Sequence, residues 1–173
     1  MNNEELKLNI QAIRNGDRGA FDELYRDMQT PIFTVIFRIT WNKPVSEEIL
    51  QEVFIKLFLT PPEPSIKNPR AYIFQIARNL AIDSVRKQTQ HIPLDEIPET
   101  SHRPIDDFLV QMDIDDAMKR LPSQECEIVT LHVVGGLTFR EVADVMKIPS
   151  GTAKWKYQKA IRKLQKMITG GAL

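Results

Sequence analysis

Residues 137–164 read LTFREVADVMKIPSGTAKWKYQKAIRKL. In this stretch Thr138 stands three residues before Glu141, which is the spacing of a capping box. In such a box each side chain accepts a hydrogen bond from the backbone N–H of the other residue. An apolar stripe at helical spacing follows, made of Val142, Ala143 and Met146. The pattern predicts a short amphipathic helix that begins at Thr138.

A second, longer helix is predicted to follow over residues 150–168. Pro149 cannot continue the first helix, and Ser150 is a residue type that caps helix N-termini well. Two helices joined by so short a turn have the layout of a helix-turn-helix, whose second helix enters the major groove of DNA.

The second helix has two chemically distinct faces. Its apolar face is expected to consist of Ala153, Tyr157, Ala160, Ile161, Leu164 and Ile168. Its other face presents Lys154, Trp155, Gln158, Lys159, Arg162, Lys163 and Lys166. Such a basic face suits a phosphate backbone, and the forked donors of Gln158 and Arg162 can read base edges. On charge alone an ordinary solvated helix explains the pattern equally well, but the capping box and the turn favour DNA binding.

Composition limits the remaining possibilities. The 173 residues carry 23 Lys+Arg and 23 Asp+Glu, so the net charge is zero, but the charge is segregated along the chain. An acidic middle contains Asp95, Glu96, Glu99, Asp106, Asp107, Asp113, Asp115 and Asp116. The single cysteine, Cys126, excludes an internal disulfide and is interpreted as a small buried hydrophobe. The sequence shows no signal peptide and no apolar run long enough for a bilayer, which predicts a cytoplasmic protein.

Helical periodicity dominates the chain and predicts an all-α fold. The predicted helices are Glu4–Asn15, Arg18–Thr40, Ser46–Leu59, Pro69–Gln88, Ile105–Leu121, Ser123–Val134, Thr138–Met146 and Ser150–Ile168. Asp17 is expected to be the N-cap of the second helix. Residues 89–105 are rich in proline and acids and are predicted to be a linker. We therefore expect two small helical domains, a four-helix domain over residues 1–88 and a helix-turn-helix domain over residues 106–173.

Three stretches together resemble one protein family. Residues 46–57 read SEEILQEVFIKL, residues 70–87 read RAYIFQIARNLAIDSVRK, and the third stretch is residues 121–164. They are similar, in order and spacing, to the extracytoplasmic-function (ECF) group of bacterial sigma-70-like RNA polymerase sigma factors. The resemblance implies that the first stretch binds the polymerase clamp, the second opens and reads the minus-ten element, and the third reads the minus-thirty-five element.

The resemblance also implies roles for individual residues and partners. Helical spacing puts a buried stripe on one side of the first stretch, made of Val45, Ile49, Val53, Phe54 and Leu57. Polymerase binding would fall to four residues expected on its exposed outer side, Glu48, Gln51, Glu52 and Lys56. Minus-ten recognition would fall to Arg78, Asn79, Asp83, Arg86 and Lys87, which are expected on the outer side of their helix. Minus-thirty-five recognition would fall to Ser150, Thr152, Lys154, Trp155, Gln158, Lys159 and Arg162. The expected partners are bacterial core RNA polymerase, promoter DNA and an anti-sigma factor, with no metal or other cofactor, no membrane insertion and no small-molecule substrate.

Three further features bear on this resemblance. The proline-rich loop around residues 63–68 is expected either to cradle a flipped base or to be a plain connector. Tyr72 stands where the family usually has tryptophan. Trp155 replaces a small polar residue on the presumed DNA side, where it could pack on a thymine methyl or lie against a neighbouring helix.

Other classes of function fit less well. His91, His102 and His132 are scattered, and we find no zinc-ligand spacing, phosphate loop or nucleophile elbow, so catalysis is not expected. A free-standing helix-turn-helix regulator that binds DNA as a dimer remains an alternative, as does an interaction protein whose basic helix meets an acidic partner.

Overall fold

The computed structural model describes residues 1–90 and 113–170. Over these ranges the chain forms α-helices and no strand, so the prediction of an all-α fold is confirmed. The helices are α1 (Asn3–Arg14), α2 (Arg18–Thr40), α3 (Lys43–Leu59), α4 (Pro69–Gln90), α5 (Ile114–Lys119), α6 (Ser123–Val133), α7 (Phe139–Met146) and α8 (Ser150–Ile168). None of the helices in the described ranges is both long and apolar enough to cross a membrane. The acidic residues Asp95, Glu96 and Glu99 lie outside the described residues.

Side-chain caps set the starts of several helices. Asp17 accepts from the backbone N–H of Ala20 at 3.2 Å and so begins α2, as predicted. In contrast, α3 begins at Lys43, three residues before the predicted start. Asn42 caps it by accepting from the N–H of Val45, and Pro44 fits the first turn, where its missing N–H has no helical partner.

The predicted helix Ile105–Leu121 was too long within the part of the chain that the structure describes. Only Ile114–Lys119 is helical there, and residues 105–112 lie outside the described ranges. The helix ends at Lys119, and Leu121 could not continue it, because Pro122 disfavours helical geometry in the residue that precedes it.

Helix α2 lies at the centre of the amino-terminal half. It packs against α1, α3 and α4, and its side chains Leu24, Met28, Ile32 and Ile36 are fully buried. Phe74 of α4 completes this interior with no exposed surface. Burial on this scale stabilises each large side chain by roughly 1.5–3 kcal/mol.

The same apolar core continues into the carboxy-terminal half. Helix α6 packs on α2, and α7 packs on α4. Apolar side chains of the carboxy-terminal half that join this core include Ile128, Leu131, Leu137 and Val142. A smaller cluster around Cys126, Met118 and Ala160 fixes α8 to α5 and α6. The two halves of the chain therefore share one continuous interior in this structure.

Candidate functional site

The predicted capping box is present at the start of α7. The Glu141 N–H donates to Thr138 Oγ1 at 3.3 Å, and the Thr138 N–H donates to the Glu141 carboxylate at 2.7 Å. Helix α7 ends at Met146, its C-cap Lys147 is left-handed with a φ of 55°, and α8 begins at Ser150. The helix-turn-helix predicted from the sequence is thus formed.

The prediction that Ser150 caps α8 is wrong. Pro149 occupies the cap position in an extended conformation, and its carbonyl accepts from the N–H of Ala153. Ser150 is consequently the first helical residue, is exposed and makes no side-chain cap bond. Its hydroxyl is therefore not committed to capping the helix.

Three aromatic rings hold the helix-turn-helix together: His132 stacks on Phe139, and Tyr157 meets the His132 ring edge-on. The ring centroid of His132 lies 4.2 Å from that of Phe139 and 4.8 Å from that of Tyr157. His132 Nδ1 also lies 2.7 Å from the carbonyl oxygen of Leu137. The sequence interpretation gave His132 no special role, because three rings so distant along the chain carry no local signal. Since the three rings join α6, α7 and α8, they position the predicted recognition helix.

The outer face of α8 is basic and accessible. Lys154, Trp155, Gln158 and Arg162 are exposed, whereas Thr152 and Lys159 are half-buried. The indole of Trp155 is 53% exposed and has Lys159 Nζ 5.0 Å from its ring centroid. More than half of the Trp155 surface is therefore accessible to a partner. On the opposite face Ile168 is 41% exposed, so its predicted burial is wrong; it is the last residue of the helix.

Lys163 differs from the rest of this basic face. Its ammonium nitrogen lies 3.0 and 2.8 Å from the two carboxylate oxygens of Glu125, a residue that is 5% exposed. Lys163 therefore neutralises a buried acid, although the sequence placed it among the solvent-facing cations.

Helix α4 presents most of its predicted minus-ten residues to solvent. Asn79, Asp83, Arg86 and Lys87 are exposed, and Arg86 lies 3.7 Å from Asp83. The expected outward position of Arg78 is wrong. Its side chain is only 17% exposed, and its Nε donates to Glu127 of α6 at 2.6 Å, because α6 packs over that side of the amino-terminal half.

Helix α3 combines the predicted polar face with an apolar one. Glu48, Gln51, Glu52 and Lys56 are all exposed, as predicted, and Lys56 pairs with Glu52 at 3.2 Å. Beside them lies an apolar groove lined by Phe21, Tyr25, Gln51, Phe54, Ile55, Phe58 and Leu59. Ile55, Phe58 and Leu59 are 55%, 49% and 72% exposed. The sequence interpretation missed this groove, although three large apolar residues outside the buried stripe were its signal.

The proline-rich loop is tied to α1. Arg14 donates to the carbonyl oxygens of Pro61 at 3.0 Å and Pro62 at 3.3 Å, and it pairs with Glu63 at 3.3 Å. These contacts fix the start of the loop, and its role as a base cradle remains a prediction.

Cys126 is buried, as predicted, with 3% of its surface exposed. Burial raises the pKa of its thiol from the ordinary value of 9.0 to about 11, so the thiol is protonated and unreactive near neutral pH. Within the described residues no cluster of three or more His, Cys, Asp or Glu could hold a metal ion.

Comparisons with known proteins agree with this geometry. The family model for Sigma-70 region 2 matches residues 24–91, and the model for Sigma-70, region 4 matches residues 111–164. The chain is 23% identical over 180 residues to the ECF RNA polymerase sigma factor SigW of Bacillus subtilis, covering 94% of this chain and 96% of SigW. It is 28% identical over 164 residues to the ECF RNA polymerase sigma factor RpoE of Cereibacter sphaeroides, covering 90% and 91% of the two chains.

A solved structure shares the fold. The sigma factor RpoE of Bartonella quintana, crystallised with the anti-sigma factor NepR, superimposes with a TM-score of 0.68 at 17% identity. The match covers 86% of this chain and 96% of that one.

Proposed function

Because the chain belongs to the ECF group of sigma-70 factors, we propose that it binds core RNA polymerase and directs it to specific promoters through α4 and α8. In this proposal α8 reads the minus-thirty-five element in duplex DNA, while α4 and the loop before it open and read the minus-ten element. In this proposal the polymerase catalyses bond formation in RNA synthesis, and the protein acts in the cytoplasm.

The observation that carries the proposal is the charge of α8. Residues 150–168 contain no acid, and Lys154, Gln158 and Arg162 are exposed on one side of the helix. Each cation that neutralises a phosphate releases counterions, and the forked donors of Gln158 and Arg162 suit bidentate contacts to purine edges. The ion pair between Lys163 and the buried Glu125, together with the rings around His132, holds this face in place.

Trp155 is proposed to set promoter preference. Its exposed indole lies in the first half of α8, where recognition helices contact base edges. Lys159, on the same helix, makes a cation–π contact with the ring. An exposed apolar ring at such a position suits the thymine methyl group, the one apolar feature of the major groove.

The polymerase is proposed to bind α3. Glu48, Gln51, Glu52 and Lys56 provide a polar face that can pair with charged groups, and the neighbouring groove provides apolar area. An interface with an apolar centre and a polar rim is the arrangement expected for a stable protein partner. The same surface is where an anti-sigma factor, which we also propose as a partner, would compete with the polymerase.

This proposal includes a division of the chain into residues 1–88, a linker over residues 89–105, and residues 106–173. Two modules that bind adjacent promoter elements gain affinity when both are held on one polymerase, because the second contact becomes intramolecular. This explains how a chain of zero net charge can still select promoters.

The experiment that tests the proposal compares Arg162→Ala with Lys166→Ala, which removes an equally exposed cation from the same helix. With reconstituted holoenzyme, Arg162→Ala should weaken promoter binding at least about tenfold, the value of one good base contact. Lys166→Ala should weaken promoter binding by a smaller factor, and by the same factor for every promoter. Equal, sequence-independent losses in the two variants would contradict base reading by α8.

A further inference from the structure

The loop that joins α3 to α4 is anchored by α1, a helix to which the proposed function gives no part. Arg14, the last residue of α1, donates from Nη1 to the carbonyl oxygens of Pro61 at 3.0 Å and Pro62 at 3.3 Å. Its Nη2 lies 3.3 Å from a carboxylate oxygen of Glu63. One guanidinium therefore holds three consecutive residues of the loop.

The chemistry of these residues suits them to an arginine anchor. A proline has no backbone N–H, so the polar groups through which Pro61 and Pro62 can be held are their carbonyl oxygens. A guanidinium presents its donors in a rigid planar fork, so contacts to several acceptors fix the direction of the chain as well as its position. The Arg14 side chain is 30% exposed, so water reaches these contacts only in part.

The far end of the loop is fixed separately, by the cap of α4. Asn68 Oδ1 accepts from the N–H of Ala71 at 3.0 Å, which is the bond expected of a helix N-cap. Between the two anchors the Ile66 N–H donates to the carbonyl oxygen of Glu63 at 3.0 Å and closes a turn. The exposed residues between the anchors include Pro64, Ser65 and Lys67. The exposed part of the loop is thus held at both ends.

We propose that Arg14 is a positioning residue for minus-ten recognition, because it keeps the turn of residues 63–66 in the shape that receives a base of the non-template strand. The proposal rests on the proposed function, in which α4 and this loop read the minus-ten element. Extruding a base costs unstacking energy, and a loop that had to be ordered in the same step would add the cost of its own conformational entropy. The contacts of Arg14 order the loop in advance. They also neutralise Glu63, whose free carboxylate would repel the phosphates of DNA.

Hydrogen exchange measures the positioning without polymerase or DNA. In the full-length protein, the exchange rate of the Ile66 N–H, followed by NMR, reports how often the turn opens. Arg14→Ala should accelerate this exchange about tenfold, the effect of removing hydrogen bonds made by a charged donor. Lys7→Ala is the matched control and should leave the rate unchanged, because Lys7 pairs with Glu4 on the same helix and is 32% exposed. In Arg14→Ala the exchange of the buried Met28 N–H should change less than about threefold, since surface substitutions alter global stability little.

Promoter binding measures the consequence for base reading. Reconstituted holoenzyme is titrated with promoter fragments in which each base pair of the minus-ten and minus-thirty-five elements is substituted in turn. Arg14→Ala should lower the preference for the original base about tenfold at one minus-ten position, which is the value of one base contact. The preferences in the minus-thirty-five element should not change, because that element is read by α8. A variant that was only less stable would bind less of every fragment and keep all its preferences.

Unchanged exchange of the Ile66 N–H in Arg14→Ala would overturn the proposal. An equal acceleration at Met28 would also overturn it, because the variant would then be unfolding globally, and so would an equal loss of binding for every fragment. If wild-type holoenzyme has no base preference at any minus-ten position, the proposed function itself fails. Because the exchange measurement contains neither polymerase nor DNA, the two kinds of failure are distinguished.

Discussion

Replacing Lys163 by methionine tests how α8 is held against the rest of the carboxy-terminal half. The substitution keeps the length and apolar stem of the side chain but leaves the Glu125 carboxylate, which is 5% exposed, without its cation. An uncompensated buried charge costs 3–5 kcal/mol when the pair is fully buried. Lys163 itself is 34% exposed, so water can reach part of the site, and we expect a loss of about 2 kcal/mol.

Urea unfolding followed by circular dichroism measures this loss. A slope of about 2 kcal/mol per molar urea converts the expected loss into a midpoint lower by about 1 M. Lys166→Met is the matched control, because Lys166 lies one turn further along the same helix and is exposed. Its midpoint should stay within about 0.25 M of the wild type, since surface substitutions usually change stability by less than about 0.5 kcal/mol.

A double variant distinguishes an unpaired charge from simple loss of packing. Glu125→Leu/Lys163→Met removes both charges, and replacing a buried pair by apolar groups is often neutral or stabilising. We therefore expect it to be more stable than Lys163→Met alone. A double variant that is less stable than Lys163→Met, or a Lys163→Met midpoint equal to that of Lys166→Met, would refute the reasoning.

Other substitutions test the remaining contacts. Thr138→Ala removes one half of the capping box and should cost about 1 kcal/mol in urea unfolding, whereas Thr169→Ala, at the exposed carboxyl end of α8, should cost less than about 0.5 kcal/mol; equal costs would show that the capping box does not stabilise the fold. The wild type should lose stability relative to Cys126→Ala as pH rises from 9.0 to about 11, because the unfolded thiol releases its proton while the folded thiol keeps it. Thermal unfolding of both proteins over that pH range measures the difference in stability. A difference that stays constant with pH would contradict the expectation. Ile55→Ser should weaken binding to core polymerase by about tenfold without lowering stability, whereas Leu8→Ser, which alters a still more exposed apolar residue on α1 (74% against 55%), should leave binding unchanged; fluorescence anisotropy measures both affinities, and equal affinities of the two variants would remove the groove from the interface.

The features that the sequence predicted correctly depend on neighbours in the chain. The capping box of Thr138 and Glu141, the Asp17 cap and the turn at Pro149 each involve residues within one helical turn, so their chemistry can be read from spacing alone. Apolar periodicity likewise predicted which side of α3 would be buried and that its four polar residues would be exposed.

The features that the sequence did not predict depend on packing between distant segments. Arg78 and Lys163 look like ordinary surface cations along their helices, and only the position of α6 shows that each pairs with a carboxylate there. The ring stack of His132 was missed for the same reason. Ser150 was assigned as a cap by residue type, but a proline one position earlier already had the extended geometry that a cap needs.

Run-off transcription with purified bacterial core polymerase, this protein and a pool of genomic promoter fragments tests the central claim most directly. The account predicts discrete transcripts that appear only when both proteins are present. Absence of transcripts, together with tight binding of the protein alone to a palindromic duplex, would contradict it and would favour a free-standing dimeric regulator.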